Sequence, residues 1–220
     1  RTDFDEMFAD VITRQQTLCA RIIRSLVDAS ASGAELADRM GVEKNGVISK
    51  ALQQLEEAGL VSADEGKNPE TGEDLREKRY RLKDNYCRFY LKYIEKAKSV
   101  IDKNQYEFGS LDQLDGWESV KGLSFENLVV NNSGLLRPLL GIERSTLLSV
   151  APYRRSGSRN GKRKGVQVDL LLQTKRANYL VEVKRQRVIG REVVAEMEEK
   201  VRLVPRRRGV TVRTALVLSS

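Results

Sequence analysis

The sequence contains no histidine and only two cysteines in 220 residues. The absence of histidine excludes Ser-His-Asp and Cys-His nucleophilic sites, and it excludes every metal site that uses imidazole. Cys19 and Cys87 lie far apart in segments with a helical pattern, so they indicate neither a disulfide framework nor a zinc-thiolate site, and we expect two buried thiols. Metal chemistry in this chain would therefore depend on carboxylates and water, which are ligands that Mg²⁺ and Mn²⁺ prefer.

No apolar run in the sequence is long enough to cross a bilayer, and no signal-peptide pattern opens it. Because the few cysteines also fit a reducing compartment, we expect a cytoplasmic protein without a membrane partner. The chain is 40% hydrophobic and 32% charged, which is typical of one large globular domain or two small ones. Its first residue is Arg rather than Met, so we expect a fragment of a longer polypeptide.

Charge is distributed unevenly along the chain. The net charge is +8, but residues 150–220 hold 18 Lys and Arg against 6 Asp and Glu, a balance of +12, whereas residues 1–149 have a balance of −4. A basic C-terminal part is typical of proteins that bind nucleic acid. Solvated Lys and Arg side chains on an ordinary surface are the alternative explanation.

Two helices and a short connection are predicted near the N-terminus. Apolar residues at helical spacing predict an amphipathic helix over residues 13–29. Ser32 is placed to cap a second, short helix, with Glu35 three residues later as its capping-box partner. Gly41 is expected to end that helix.

The next segment completes the pattern of a winged helix-turn-helix. Residues 44–58 predict a third helix with Val47, Leu52 and Leu55 facing inward, and Gly59 ends it. Two short strands follow, "LVSADE" and "KRYRLKD", joined by the polar turn "GKNPETGED". This order is typical of a winged helix, in which the strands form the wing.

The third helix presents polar side chains that could contact phosphates or base edges. These candidate nucleic-acid contacts are Lys44, Asn45, Ser49 and Lys50. Acidic residues on the same helix and in the turn of the wing would repel a phosphate backbone. The sequence therefore leaves open whether this module binds DNA or another protein.

A flexible basic stretch, "RRSGSRNGKRKG", begins at Arg154. It does not match a phosphate-binding P-loop, because the run from Gly157 to Lys162 is one residue too short and Arg163 stands where Ser or Thr is required. We therefore expect no ATP site in this chain. The candidate phosphate contacts of this stretch are Arg154, Arg155, Lys162, Arg163 and Lys164.

Residues 167–186 predict a β-hairpin that brings two acidic side chains together. If the turn is centred between Lys175 and Arg176, Asp169 and Glu182 are directly opposed, with Cβ atoms roughly 5 Å apart. Two carboxylates so close repel each other unless a cation lies between them. Strand alternation predicts Val168, Leu170 and Leu172 on one face of the first strand and Asp169 and Leu171 on the other. Lys184 shares the face of Glu182.

This constellation, Asp followed by Glu-x-Lys after a short hairpin, resembles the PD-(D/E)XK nuclease superfamily. The resemblance implies that Asp169 and Glu182 ligate Mg²⁺ or Mn²⁺, that Glu126 on the preceding helix completes the metal shell, and that Lys184 orients or activates the attacking water. Predicted elements also follow the order of that core: a helix over 116–132, three strands, a helix over 190–202 and a final strand. Within the helix over 116–132, Leu128 is expected on the buried side.

A wider resemblance covers most of the chain. The winged helix, the run "KDNYCRF", the pair Phe125-Glu126 and the segments "VDLLLQ" and "YLVEVK" look like the region that follows the ATPase core in archaeal-type AAA ATPases. The resemblance implies an N-terminal ATPase domain as a partner outside this chain. Family members often carry an aromatic residue where this chain has Arg185, a departure that leaves the candidate catalytic residues intact.

We therefore predict an α+β or α/β chain of two domains: a winged helix-turn-helix with flanking helices over 1–104 and a restriction-endonuclease-like PD-(D/E)XK domain over 105–220. The predicted function is metal-dependent hydrolysis of a DNA phosphodiester as part of an AAA-type ATPase. The alternative is a catalytically inactive nuclease fold that binds DNA or protein and regulates the ATPase, since one fold hosts many functions. The sequence leaves the oligomeric state open.

Overall fold

The computed structural model of the chain describes residues 16–43, 46–107, 109–158, 160, 162–186 and 189–219. Two of the candidate nucleic-acid contacts, Lys44 and Asn45, lie outside the described residues, as does the predicted start of the first helix at residues 13–15. Among the described residues, no helix combines the length and apolar character that a membrane crossing requires.

The chain has mixed α and β structure and divides into two compact units. Unit one comprises the described part of residues 1–64 together with 77–123, and unit two comprises 65–76 together with 124–220. The boundaries differ from the predicted division at residue 104, because residues 105–123 belong to unit one and the predicted turn of the wing belongs to unit two. Leu75, in that turn, is partly buried against a hydrophobic cluster of unit two.

Unit one has the helix and strand order that the sequence predicts. Its first three helices are α1 (Gln16–Ser25), α2 (Gly33–Met40) and α3 (Gly46–Glu57). Its strands are β1 (Ala31–Ser32), β2 (Val61–Asp64) and β3 (Arg79–Leu82), arranged in the order β1-β3-β2 with antiparallel pairing throughout. Among the described residues, this order of three helices and an antiparallel strand pair is the one that the sequence predicts for a winged helix-turn-helix.

The predicted caps of these helices are confirmed. Ser32 Oγ accepts a hydrogen bond from the Glu35 N–H, and the Glu35 carboxylate accepts one from the Ser32 N–H, which completes a capping box. Gly41 and Gly59 follow α2 and α3 at φ values of 64° and 73°, a left-handed conformation in which glycine has no Cβ penalty. The two glycines therefore end the helices where the sequence places them.

One assignment to the core of unit one is wrong. Val47 was predicted to face inward, but its side chain is 46% exposed, and the adjacent Ile48 is buried instead. Leu52 and Leu55 are buried as predicted. Ile48, Leu52 and Leu55 fall at helical spacings of four and three, so they share one face, and Val47 lies beside that face rather than on it.

The remaining part of unit one is a long helical segment and an aromatic cluster. The segment consists of α4 (Asn85–Phe89), a π-helical turn (Tyr90–Ile94) and α5 (Glu95–Asp102). Phe89, Tyr93 and Trp117 have ring centroids 5.4 to 6.1 Å apart, so the three rings pack against each other. Cys19 and Cys87 are both buried free thiols, as predicted.

Unit two is built around a four-stranded sheet in the order β4-β5-β6-β7. The strands are β4 (Leu147–Arg155), β5 (Val166–Thr174), β6 (Ala177–Lys184) and β7 (Thr211–Leu218). The helices are α6 (Trp117–Asn131), whose last part belongs to this unit, α7 (Leu136–Leu139) and α8 (Arg191–Leu203). The predicted order of helix, three strands, helix and strand is therefore present.

The connections of the sheet explain its pairing. β4, β5 and β6 pair antiparallel, whereas β6 and β7 pair parallel. A parallel pair needs a crossover connection, which α8 supplies. The two central strands are buried along almost their whole length, as expected where both faces of a sheet are covered.

The alternation predicted for β5 fails at Val168. Leu170 and Leu172 share a hydrophobic cluster with Val181 as predicted, but Val168 packs in the other cluster, with Leu171. The reason is a register shift against β4, where Ala151 pairs with Leu171 but Tyr153 pairs with Val168. β5 therefore has one extra residue at this point, a β-bulge beside Asp169.

A second burial prediction is also wrong. Leu128 in α6 was expected on the buried side of the helix, but it is 55% exposed. Val120 and Val129 on the same helix are buried. The helix carries apolar residues around much of its circumference, so the pattern alone does not single out the face that packs.

Candidate functional site

A polar cleft of about 440 Å³ lies in unit two, beside the bulged part of β5. Three strand residues with ionisable side chains line it, namely Asp169, Glu182 and Lys184. Helix α8 contributes Glu196, Glu199 and Lys200, and the other lining residues are Gly165, Val166, Gln167 and Leu203. The cleft therefore brings together the three residues that the sequence singles out on the hairpin.

The hairpin register brings the two acidic residues to the same end of the strand pair. β5 ends at Thr174 and β6 begins at Ala177, so the turn is centred between residues 175 and 176 as predicted. The paired positions run from Gln173 opposite Asn178 to Leu170 opposite Val181, and Asp169 and Glu182 are the next residue along each strand. Asp169 Oδ2 accepts a hydrogen bond of 2.9 Å from the Val183 N–H, which holds its carboxylate across the strand pair.

Glu182 is the most deeply buried charged group of the cleft, with only 1% of its surface exposed. Its Oε2 accepts from Lys200 Nζ at 2.6 Å and lies 3.7 Å from Lys184 Nζ. Its other oxygen, Oε1, is buried and has no hydrogen-bond partner among the described residues. A buried acceptor without a partner is costly, so this atom marks a position where a ligand would be stabilising.

The acidic and basic side chains of the cleft form a closed ring of ion pairs. Lys200 pairs with Glu196 at 2.9 Å as well as with Glu182, and Lys184 pairs with Glu196 at 3.1 Å. Glu196 thus bridges the two ammonium groups. Glu196 and Lys200 are one helical turn apart in α8, so this helix adds an acid and a base to the motif of the strands.

Burial controls the protonation of the two strand acids. Desolvation by burial raises the pKa of Glu182, and the neighbouring Asp169 carboxylate raises it further, against the opposing effect of Lys200 and Lys184. Desolvation also raises the pKa of Asp169, although the hydrogen bond from Val183 lowers it in part. Both acids therefore hold a proton more readily than free carboxyl groups, unless a further cation enters.

Hydrogen bonds between acids and lysines determine the pKa values of Glu196 and Lys200 in α8. The bond from Lys200 holds the pKa of Glu196 below its usual range, with a second contribution from Lys184. Burial alone would lower the pKa of Lys200, but its hydrogen bonds to Glu182 and Glu196 outweigh burial and raise that pKa. Glu196 and Lys200 are therefore a carboxylate and an ammonium at neutral pH.

The donor set of the cleft suits a small divalent cation that keeps part of its water shell. Mg²⁺ is commonly held by one or two carboxylates together with water and substrate phosphate. Asp169 and the buried Oε1 of Glu182 supply two such carboxylates. Among the described residues, however, no group of three or more Asp, Glu or Cys side chains is placed to hold a metal.

The third acid implied by the nuclease resemblance is not among the residues that line the cleft. Glu126 lies in α6 and is half-buried. Its role as a metal ligand therefore stays a prediction. The sequence resemblance did not include Glu196 or Lys200, although their spacing of four on a predicted helix was a signal that they share a face.

The basic loop between β4 and β5 ends at the edge of the same cleft. Gly165, at the end of the loop, and Val166, at the start of β5, line the cleft. The side chains of Lys162, Arg163 and Lys164 in the loop and of Arg154 in β4 are exposed, whereas Arg155 is half-buried. Lys164 Nζ pairs with Glu199 at 2.9 Å, so one basic side chain of the loop reaches the rim of the cleft.

Two glycines lie where the two ends of this loop approach each other. A Cβ atom at Gly157 would lie 3.0 Å from the Arg163 carbonyl oxygen, and one at Gly165 would lie 3.1 Å from the Gly157 nitrogen. The two backbones approach more closely than a side chain would allow.

In unit one, Ser49 and Lys50 of α3 are exposed, so both are accessible to a partner.

No protein-family model and no curated protein matches this chain. Among solved structures, the homodimeric winged helix-turn-helix DNA-binding domain Mb0332 from Mycobacterium bovis, a possible ArsR-family transcriptional regulator, is similar at 15% identity and a TM-score of 0.33. That match covers 50% of this chain and 97% of the other. Protein VC1899 from Vibrio cholerae is similar at 13% identity and a TM-score of 0.33, over 92% of this chain and 42% of that protein. At these TM-scores neither likeness bears on what the site does.

Proposed function

We propose that this chain binds DNA and carries a metal-dependent phosphodiesterase site of the PD-(D/E)XK type in the cleft of unit two. The observation that carries the proposal is the buried Oε1 of Glu182, which has no hydrogen-bond partner among the described residues, in a cleft that Asp169 and Lys184 also line. Two buried acids with raised pKa values are costly to the fold, and such groups cluster at functional sites. The order of helix, three strands, helix and strand supports the same assignment.

The strand residues of the cleft would have different roles in binding and catalysis. Asp169 and Glu182 would hold Mg²⁺ or Mn²⁺, which when bound polarises a phosphoryl oxygen and lowers the pKa of water. The Lys184 ammonium would stabilise negative charge that develops on the phosphate. Glu126 stays a predicted third ligand, and Val183 fixes the Asp169 carboxylate through its N–H.

Basic side chains outside the cleft would supply binding. Lys162, Arg163 and Lys164 are exposed in the loop that ends at the cleft, and Arg154 is exposed near the end of β4, so these side chains would contact backbone phosphates of a nucleic acid. Ser49 and Lys50 on the exposed face of α3 would contact DNA from unit one, as helices at this position of a helix-turn-helix do. The balance of +12 over residues 150–220 supports a polyanionic partner.

The decisive test replaces Asp169 by Ala. Wild-type protein is titrated with Mn²⁺ in a calorimeter and then incubated with plasmid DNA and Mg²⁺, and the variant is treated in the same way. We expect Asp169→Ala to abolish both cation uptake and plasmid cleavage, because the cation would lose one of two carboxylates, while DNA binding is retained. Loss of DNA binding with intact cation uptake would contradict the proposal and give Asp169 a structural role.

A second candidate function is a DNA- or protein-binding module without catalysis. The observation that favours it is the ring of ion pairs, in which Lys184 and Lys200 already supply counter-charge to Glu182. The experiment above separates the two functions. DNA binding by the wild type without cation uptake or cleavage would favour the binding module.

A further inference from the structure

Lys200 occupies an unusual place in the cleft, since no strand motif accounts for it. Its side chain is only 15% exposed, and its ammonium lies 2.6 Å from Glu182 Oε2 and 2.9 Å from Glu196 Oε1. An ion pair whose only role is to fix a helix to a sheet rarely needs burial beside two further charges, because desolvation offsets the Coulombic gain. The burial of Lys200 therefore calls for a role beyond stability.

The charges of the cleft can be counted. When Asp169, Glu182 and Glu196 are all ionised, three carboxylates face two ammonium groups (Lys184 and Lys200), which leaves one net negative charge. The remaining ionisable residue of the lining, Glu199, is neutralised by its pair with Lys164 at the rim. One divalent cation would turn this balance into one net positive charge, which a phosphodiester, with its single negative charge, would neutralise.

Removal of Lys200 would change the net charge of the cleft. The cleft would then carry two net negative charges, and a divalent cation alone would neutralise it. The cation would bind more tightly, because a nearby positive charge no longer repels it. No net positive charge would remain to attract the phosphodiester.

We propose that Lys200 is a positioning residue that sets the charge of the cleft so that the divalent cation and the phosphodiester bind together. This inference rests on the proposed function of the same cleft. Lys200 acts through Glu182, whose Oε2 it holds by an ion pair while Oε1 has no partner among the described residues. It also acts through Glu196, which pairs with both Lys200 and Lys184. Cation and phosphodiester should then each strengthen the binding of the other.

The experiment measures Mn²⁺ affinity by calorimetry at mildly alkaline pH, with and without dimethyl phosphate, a phosphodiester that carries one negative charge. Wild type is compared with Lys200→Met, which removes the charge, and Lys200→Arg, which keeps it. The matched control is Lys67→Met, because Lys67 belongs to the same unit and pairs with a carboxylate, Asp74, away from the cleft. Circular dichroism melts show whether each variant is folded, and Lys200→Gln replaces Lys200→Met if the latter is not.

We expect Lys200→Met to bind Mn²⁺ at least about tenfold more tightly than the wild type and to lose the gain in affinity that dimethyl phosphate gives. Lys200→Arg and Lys67→Met should behave like the wild type. Mn²⁺ binding by the wild type with the same affinity in Lys200→Met would overturn this inference and leave the proposed phosphodiesterase site standing. Uptake by Lys200→Met alone would support the charge-setting role, whereas uptake by none of the proteins would overturn both proposals.

Discussion

At the scale of single residues, the cleft is a place where the fold tolerates an electrostatic cost. Asp169 and Glu182 lose most of their hydration, and their mutual repulsion adds to that loss. Lys200 and Lys184 pair with Oε2 of Glu182, so Oε1 has no hydrogen-bond partner among the described residues. A ligand that pairs with this oxygen would therefore stabilise the fold, and so would a substitution that removes the electrostatic cost.

Replacement of Asp169 by Asn should therefore stabilise the protein. The amide is neutral, and its oxygen can still accept the hydrogen bond from Val183. We expect Asp169→Asn to raise the free energy of unfolding at neutral pH by about 0.5 to 2 kcal/mol, measured by urea denaturation in the absence of divalent cations. An equal or lower stability of the variant at neutral pH would contradict this expectation.

The pH dependence of the stability gained by Asp169→Asn follows from the direction of the pKa shift of Asp169. Because the folded-state pKa of Asp169 is raised above its ordinary value of 3.8, the folded protein binds this proton more tightly than the unfolded chain. The wild type therefore loses stability as the pH rises from the ordinary value through the raised one. The advantage of Asp169→Asn should be small in acid, grow across that interval and then stay constant.

Residue-scale features could be predicted from the sequence where they depend on a local pattern. The sequence predicts a symmetrical hairpin with a two-residue turn, and the paired register from Gln173–Asn178 to Leu170–Val181 has that symmetry. The participation of Lys200 could not be derived in this way, because its ion pair with Glu182, which joins α8 to β6, is a tertiary contact. The helical spacing of Glu196 and Lys200 shows that they share a face, but not what that face meets.

At the scale of secondary-structure elements, the bulge in β5 determines which side chains reach the cleft. One extra residue between Val168 and Leu171 changes the side to which the strand residues point. Strict alternation predicted the face of Val168 wrongly, because a bulge leaves no local signature in an aliphatic run. The prediction that Val47 faces inward was wrong for a related reason. Val47 and Ile48 are adjacent and both apolar, so either could belong to the buried stripe of α3.

The capping box of α2 gives a prediction for an element that the sequence identified correctly. Ser32 is 2% exposed, and its hydroxyl accepts from the Glu35 N–H at 3.2 Å. We expect Ser32→Ala to lower the free energy of unfolding by about 1 kcal/mol, because a helix N–H loses its acceptor. Urea denaturation measures the change. Ser99→Ala, at an exposed position within α5, is the control, and an equal effect of both substitutions would rule out the cap as the cause.

At the scale of the whole molecule, the charge distribution sets the expected response to salt. Each phosphate contact that a basic side chain makes releases condensed counterions and contributes about 0.9 to the slope of log K against log salt concentration for duplex DNA. Replacement of Lys162, Arg163 and Lys164 by Ala should therefore lower that slope by about two to three units, measured by fluorescence anisotropy with a labelled duplex. An unchanged slope would place the DNA contacts elsewhere.

Two single substitutions show where such contacts lie. Lys103→Ala removes an exposed charge beyond the end of α5 and should leave the slope unchanged. Lys50→Ala tests α3 of the winged helix, and a loss of about one unit would show that unit one contacts phosphate. A steep salt dependence that resists all of these substitutions would indicate other basic groups of unit two.

Domain organisation was predictable only in outline. The sequence predicts a winged helix followed by an α/β part, and both sets of elements are present, but the compact units divide at 64, 77 and 123 rather than at 104. Polar composition alone suggested a connection near residue 105, whereas Trp117 packs with Phe89 and Tyr93 in unit one. Attachment to an ATPase domain stays a prediction that depends on the sequence resemblance alone.

The parallel pairing of β6 with β7 has a consequence for biosynthesis. The two acids of the cleft come from a hairpin whose strands are neighbours in sequence, whereas Lys200 lies on the crossover helix that follows. A ribosome delivers the hairpin, together with Lys184, before Lys200, so a nascent chain exposes the pair of carboxylates before the second ammonium that pairs with Glu182 has emerged. A chain that ends before α8 therefore cannot present the finished cleft, and its completion waits for the crossover to dock.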